Sequence, residues 1–168
     1  NILAVFSVMD CLGIDNQKCI EALLDFTYPP HRIELIKKSN NISWYNDSKS
    51  TNCDSTYWAL RSLRKNVILI MGGSIKKQNY SVLSEIINST VKILILTGDN
   101  SKTISNHLKV RVKIIQASDM HDAVEIANYH ARSDDSIILS PASPSFDSYQ
   151  DYEHRGKVFK NAVLEIAD

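Results

Sequence analysis

Four short apolar runs constrain this chain most: "VILIM" at 67–71, "KILILT" at 92–97, "VKIIQ" at 112–116 and "SIILS" at 136–140. None alternates apolar with polar residues, as a strand with one wet face would. Runs of this kind are buried on both sides and need cover above and below. Helical spacing fills the intervals, at 81–88, 101–108 and 119–131, and a final long helix is predicted from near residue 147. Such alternation makes a mostly parallel sheet. The predicted fold is therefore α/β: a Rossmann-like, doubly wound sheet with helices on both faces. "RIELIKKS" and "ISWYND" read as a strand pair near 32–46, antiparallel at one edge, and "CDSTYWALRSLRK" reads as a helix.

The chain opens differently. Residues 2–12 have an amphipathic helical pattern that stops at Gly13, and Asp15 is placed to cap a second helix over 16–25. "TYPPHR" then breaks helical structure, because two prolines force extended backbone. A boundary is expected there, dividing 1–30 from 31–168. The chain begins without Met and inside a helical pattern, which reads as a piece of something longer. With 19 basic and 19 acidic residues in 168, net charge is zero. That excludes a general electrostatic grip on nucleic acid, though not a local basic pocket. The apolar runs are too short to span a bilayer. Cys11, Cys19 and Cys53 form neither a disulfide framework nor a zinc pattern, which suits a reducing, cytoplasmic setting.

Ligands bind such sheets outside the carboxyl ends of the strands. Three of those ends carry unusual loops, expected to converge on one crevice. "NDSKSTN" (46–52) sets Asp47, Lys49 and Thr51 at alternate positions. They suit a ribose or base, a phosphate and a carboxylate, yet Ser50, Thr51 or Asn52 would equally cap the next helix. "GGSIKKQNY" (72–80) puts two glycines and two lysines after a strand. It lacks both the GxxxxGK[ST] and GxGxxG patterns, and a plain turn with solvated lysines also fits. "SPASPSFD" (140–147) sets Ser145 near the predicted start of the last helix, as an anion contact or an ordinary cap. "HRG" at 154–156 reads as helix surface plus a structural contact. His107, His121 and His130 read as surface or packing residues, and Trp44 and Trp58 as core.

Order and spacing together say more than any one loop. "PPHRIE", "NDSKSTN", "GGSIKK" and "LSPASPSFDSYQDYEHRGKVF" resemble the C-terminal domain of the Mur ligases, in particular the D-glutamate-adding branch. "NILAV…LGID…IEALLDF" resembles the last helices of that family's central ATPase domain. The resemblance implies an ATP-dependent amide-forming ligase that adds D-glutamate to UDP-N-acetylmuramoyl-L-alanine through an acyl phosphate, in peptidoglycan precursor synthesis. By position it implies Asn1, Arg32 and Asp47 as ATP contacts and Lys49 beside the reacting phosphate. It implies Thr51, Lys76, Ser145, Phe146 and Tyr152 as the D-glutamate site. It further implies Mg2+ held by groups upstream of Asn1, a monomeric, cytoplasmic full-length enzyme, and no activity for this stretch alone. Tyr80 stands where the family often has Phe, Ser143 where it often has Cys, and Tyr152 where it has Phe. Other readings are a relative with another added substrate, such as a different Mur ligase or a folylpolyglutamate synthase, and a non-enzymatic Rossmann-type binding module. The "DNPR" motif of the diaminopimelate-adding relative is absent.

Overall fold

The computed structural model of the protein describes residues 2–25, 28–63 and 65–166. Its strands are β1 (Glu34–Ser39), β2 (Ile42–Asn46), β3 (Val67–Gly72), β4 (Val91–Thr97), β5 (Lys113–Gln116) and β6 (Ser136–Leu139). They form one sheet in the order β1-β2-β6-β3-β4-β5. β1 runs antiparallel to β2, and every other neighbour is parallel. The antiparallel edge pair and the parallel body agree with the sequence reading.

The lack of alternation in the apolar runs has its cause in the two covered faces. Leu69 and Met71 point into one core cluster with Leu60, Tyr80, Leu83 and Ile104. Ile68 and Ile70 point into the other with Trp44, Met120, Val124 and Phe159. The first cluster draws on α3 (Cys53–Leu63), a 3-10 turn (Tyr80–Leu83), α4 (Ser84–Thr90) and α5 (Ser101–His107). The second draws on α6 (Met120–His130) and α7 (Tyr152–Glu165). β5 is an edge: its end residues are exposed and the two between them half-buried, so the two-sided burial expected of this run is not met there.

Two further helices, α1 (Ile2–Cys11) and α2 (Asn16–Leu24), precede the sheet. Asp15 caps α2 by accepting from the Gln17 N–H, as expected. Ile2, Leu3, Val5 and Val8 of α1 and Ile20 and Leu24 of α2 are exposed. Among the described residues no helix is long and apolar enough to cross a membrane.

The last helix departs from expectation. It starts at Tyr152, not near 147, with Asp151 as its cap accepting from the His154 N–H. The tract before it is rich in Ser, Asp and Pro, which satisfy backbone groups locally and compete with helix. Ser145 is therefore not at a helix start. It accepts from the Tyr149 N–H at 3.0 Å across a turn.

The order of the strand connections reverses at the join of the parallel strands β6 and β3. From β3 the chain runs outward to β4 and β5, then returns to β6 on the other side. The loops after β3 and β6 leave this join side by side, stitched by Ser140 N–H to Ile70 O (3.1 Å) and Gly72 N–H to Pro141 O (3.0 Å). A topological switch of this kind opens the crevice where ligands bind.

α7 approaches the loop before β1 so closely that only glycine fits at 156. A Cβ there would meet the buried His31 Nδ1 at 2.2 Å. Gly156→Ala must push the His31 ring from Asn46 Nδ2, its partner at 2.8 Å. Overpacking of this sort costs roughly 1–3 kcal/mol, so a lowered midpoint in chemical unfolding is expected. An unchanged midpoint would mean that the helix simply shifts.

Candidate functional site

The loop after β2 is anchored from beneath. Asp47 is almost fully buried, and its carboxylate accepts from Ser140 Oγ at 2.7 Å and from the Ile33 N–H at 3.3 Å. Burial pushes the Asp47 carboxyl up from its usual value, and hydrogen bonds from Ser50, Ser140 and Ile33 with the charge of Arg32 offset this in part. Asn52 is the residue that caps α3, accepting from the Ser55 N–H at 2.9 Å. Lys49 is held by its own N–H to His31 O at 3.0 Å, and its side chain is exposed.

A cavity of about 500 Å³ opens above this loop, lined by Arg32, Asp47, Lys49, Asp54, Ser55 and Trp58 among others. The three candidate nucleotide and phosphate residues, Arg32, Asp47 and Lys49, thus share one wall. Lys49 also borders a second hollow of about 480 Å³, where Tyr152, His31 and Lys157 lie. Its ammonium sits 5.5 Å from the centre of the Tyr152 ring. Asn1 lies outside the described residues.

The loop after β3 crosses to its neighbours. Lys76 Nζ donates to Thr51 O at 3.3 Å, and Gln78 Nε2 donates to Ala142 O. The Ser74 N–H bonds Pro144 O at 2.9 Å. Gly73 has φ 149°, and a Cβ there would lie 2.1 Å from Pro144 O. Such backbone belongs to glycine. Thr51 and Lys76 are thus in contact, and the loop carrying Ser145 is bonded to the loop carrying Lys76. Ser145 is buried, whereas the Phe146 side chain is 74% exposed. Tyr152 lies on the Lys49 side of the arrangement.

One residue ties these loops together. Arg155 is only 2% exposed. Its Nε donates to Ser48 Oγ at 3.0 Å and Nη2 to Ser48 O at 2.9 Å, while Nη1 reaches Ser143 O at 2.9 Å and Pro144 O at 3.0 Å. Burial lowers its pKa to about 10, with Asp147 and Tyr149 acting to raise it, so it remains cationic at neutral pH. Behind the loops is a second buried knot: Asn100 Nδ2 donates to Tyr80 Oη (2.9 Å) and Ser143 Oγ (2.6 Å), and Asn100 Oδ1 accepts from the Gly73 N–H (3.0 Å). Among the described residues no group of three or more His, Cys, Asp or Glu side chains is placed to hold a metal ion.

Residues 31–143, from the loop before β1 to the middle of the loop after β6, match the family model described as "Mur ligase, glutamate ligase domain". The chain belongs to the Mur ligase family. Curated relatives named UDP-N-acetylmuramoylalanine--D-glutamate ligase include one from Cytophaga hutchinsonii, 37% identical over 168 residues, and one from Porphyromonas gingivalis, 37% identical over 167. The chain is matched over 99% of its length in both and spans 37% of the length of each. Among solved structures, a pseudomurein peptide ligase type C from Methanothermus fervidus is similar over 99% of this chain and 35% of its own, with TM-score 0.73 and 18% identity. A MurF ligase from Thermotoga maritima in complex with ADP is similar over 96% and 37%, with TM-score 0.64 and 18% identity. These structures share the fold.

Two sequence expectations are corrected within this Mur ligase domain. Trp58 is not core: it is 56% exposed, whereas Trp44 is 3% exposed. Arg155 and Gly156 are buried and not helix surface, while the structural contact expected of this segment is made by Arg155. The signal for Arg155 was available, since it lies on the stripe of α7 that carries Phe159, Ala162 and Val163. Asn100 was missed as well, and only its three-dimensional neighbours reveal it. Tyr80 and Ser143 form one unit, because their hydroxyls bond each other at 2.9 Å.

Removing the guanidinium orphans several buried acceptors at roughly 1–3 kcal/mol each. Arg155→Ala should therefore destabilise the fold by at least about 3 kcal/mol. Arg155→Lys keeps charge but loses the planar fork, and should recover only part of this in a urea titration. Full recovery by Lys would show that charge alone suffices.

The edge of the same region has a pH signature. Burial works to raise the Glu34 carboxyl, but its hydrogen bond and charge pairing with Lys160 (2.7 Å), aided by the His31 N–H, outweigh burial and hold it below its ordinary 4.5. A depressed carboxyl stabilises the fold above its unfolded pKa, and that stability is lost as pH falls through the folded value. Glu34→Gln should thus be less stable than the parent at pH 7, with the gap closing below pH 4.5. A gap independent of pH in thermal melts would refute the linkage.

Proposed function

We propose that this chain is the amino-acid-binding domain of an ATP-dependent ligase that joins D-glutamate to UDP-N-acetylmuramoyl-L-alanine. The observation that carries the reading is the meeting of Thr51 and Lys76 beside the Ser145 loop, with Lys49 bordering both neighbouring hollows. D-Glutamate brings two carboxylates. A half-buried ammonium beside hydroxyls is a suitable receptor for one of them, since charged hydrogen bonds are the strong ones. Ser145 and the backbone of Phe146 complete this side, and Tyr152 packs on the amino acid.

ATP supplies the phosphoryl group that activates the sugar-linked carboxylate. The residues here fit a nucleotide: Arg32 and Lys49 offer positive charge in one cavity, and Asp47 lines its floor. Asn1 would join them at the base. Lys49, between nucleotide and amino acid, is suited to offset charge on the acyl phosphate that the D-glutamate amine attacks, with phosphate leaving. The Mg2+ that accompanies ATP would be held outside this domain. The domain's own contribution is to position the amine, and positioning can be worth several powers of ten in rate.

The division at residue 30 follows the same reading. α1 and α2 would close the central ATPase domain, whose surface would cover their exposed apolar side chains. The full-length enzyme would act as a cytoplasmic monomer, and the domain alone would have no ligase activity.

Lys76→Ala in the full-length enzyme tests the assignment. Loss of a charged hydrogen bond to a carboxylate costs roughly 1.5–3 kcal/mol, so KM for D-glutamate should rise about ten- to a hundredfold with KM for ATP changed little. Equal loss for both substrates would sink the D-glutamate assignment.

A further inference from the structure

We infer that Trp58 is the platform on which the purine base of the nucleotide stacks. The inference rests on the reading of the cavity of about 500 Å³ as the ATP site. An indole on a helix within a core-forming stretch is normally buried. Trp58 instead stands 56% exposed at the cavity wall. Its neighbours on the same side of α3 also line the cavity: Asp54, Ser55 and Ala59. The opposite side of α3 is buried through Thr56 and Leu60.

Charge sorts the cavity into two regions. The cations Arg32 and Lys49 come from the loops, together with Asp47, whose buried carboxylate is engaged by Ser140 and the Ile33 N–H, whereas α3 contributes the exposed ring and the Asp54 carboxylate. A triphosphate is drawn to the first region and repelled from Asp54. That orientation directs the base toward α3, where Trp58 offers an apolar face and Asp54 an acceptor for an exocyclic amine. Two contacts hold the ring ready. Tyr57 packs edge-on at 5.7 Å, and the Arg61 guanidinium, which is not part of the cavity lining, lies 5.2 Å from the ring centre. Base stacking on an aromatic ring tolerates any base and is typically worth about tenfold or more in affinity.

The test uses the full-length enzyme and three ligands: ATP, ADP and inorganic tripolyphosphate, which has no base. Trp58→Ala should weaken ATP and ADP by roughly tenfold and leave tripolyphosphate unchanged. Trp58→Phe, which keeps a ring, should restore nucleotide affinity to within a few fold. ATP should also quench tryptophan emission more strongly in the parent than in Trp58→Phe, the difference being the contribution of Trp58, since Trp44 is buried. Equal weakening of tripolyphosphate, or unchanged ATP affinity in Trp58→Ala while Arg32→Ala abolishes binding, would overturn the stacking role and leave the cavity as the nucleotide site. Unchanged ATP affinity in both Arg32→Ala and Trp58→Ala would remove the cavity assignment itself.

Discussion

A buried cation holds the crevice in shape. The Arg155 guanidinium offers donors in a flat fork, and the chain supplies acceptors from two loops that lie far apart in sequence, at Ser48 and at Ser143–Pro144. A charged group taken from water is costly unless its donors are met. The loops must therefore converge on Arg155 or leave it unsatisfied. Pro144 O also accepts from the Ser74 N–H, so the third loop is fixed by the same point. Relative positions of Lys49, Thr51, Lys76 and Ser145 all depend on this one side chain, though none of them touches a fork donor.

The same economy appears at the floor of the site. Asp47 is held by Ser140 at the end of β6 and by the Ile33 N–H before β1. Its carboxylate joins the edge strand pair to β6 of the parallel body. Burial raises its pKa, and hydrogen bonds and the charge of Arg32 offset this in part. A carboxylate so engaged is a fixed anchor first. Whatever it offers to a ligand, it offers from a rigid position.

Much of the fold is legible in the sequence because burial on both faces leaves a plain mark. β3 is apolar throughout, as solvent plays no part in patterning it, and the strands from β2 to β6 start within a residue of expectation, whereas β1 starts two residues into its run. The start of α7 is less legible, because Ser, Asp and Pro in 143–151 can hydrogen-bond locally and favour turns over a helix start. The exposure of Trp58 follows from the helix, since Thr56 and Leu60 define the buried side of α3 and leave position 58 facing away, but an indole in an otherwise core-forming stretch reads as core. Arg155 could be read from its place on an apolar stripe. Asn100 could not, since its partners Gly73, Tyr80 and Ser143 come from two other loops and no local pattern connects them.

That last network makes Tyr80 and Ser143 a coupled pair. A tyrosine alone would bury a hydroxyl, and an unmet buried hydroxyl costs about 1–3 kcal/mol. A serine alone would do the same. Placed together, Tyr80 and Ser143 satisfy each other at 2.9 Å, and Asn100 donates to both. The amide oxygen of Asn100 remains for the Gly73 N–H at the mouth of β3. The polar pair is thus coupled to the backbone that carries Lys76, and replacing either member by an apolar residue would leave the other hydroxyl with Asn100 as its remaining partner.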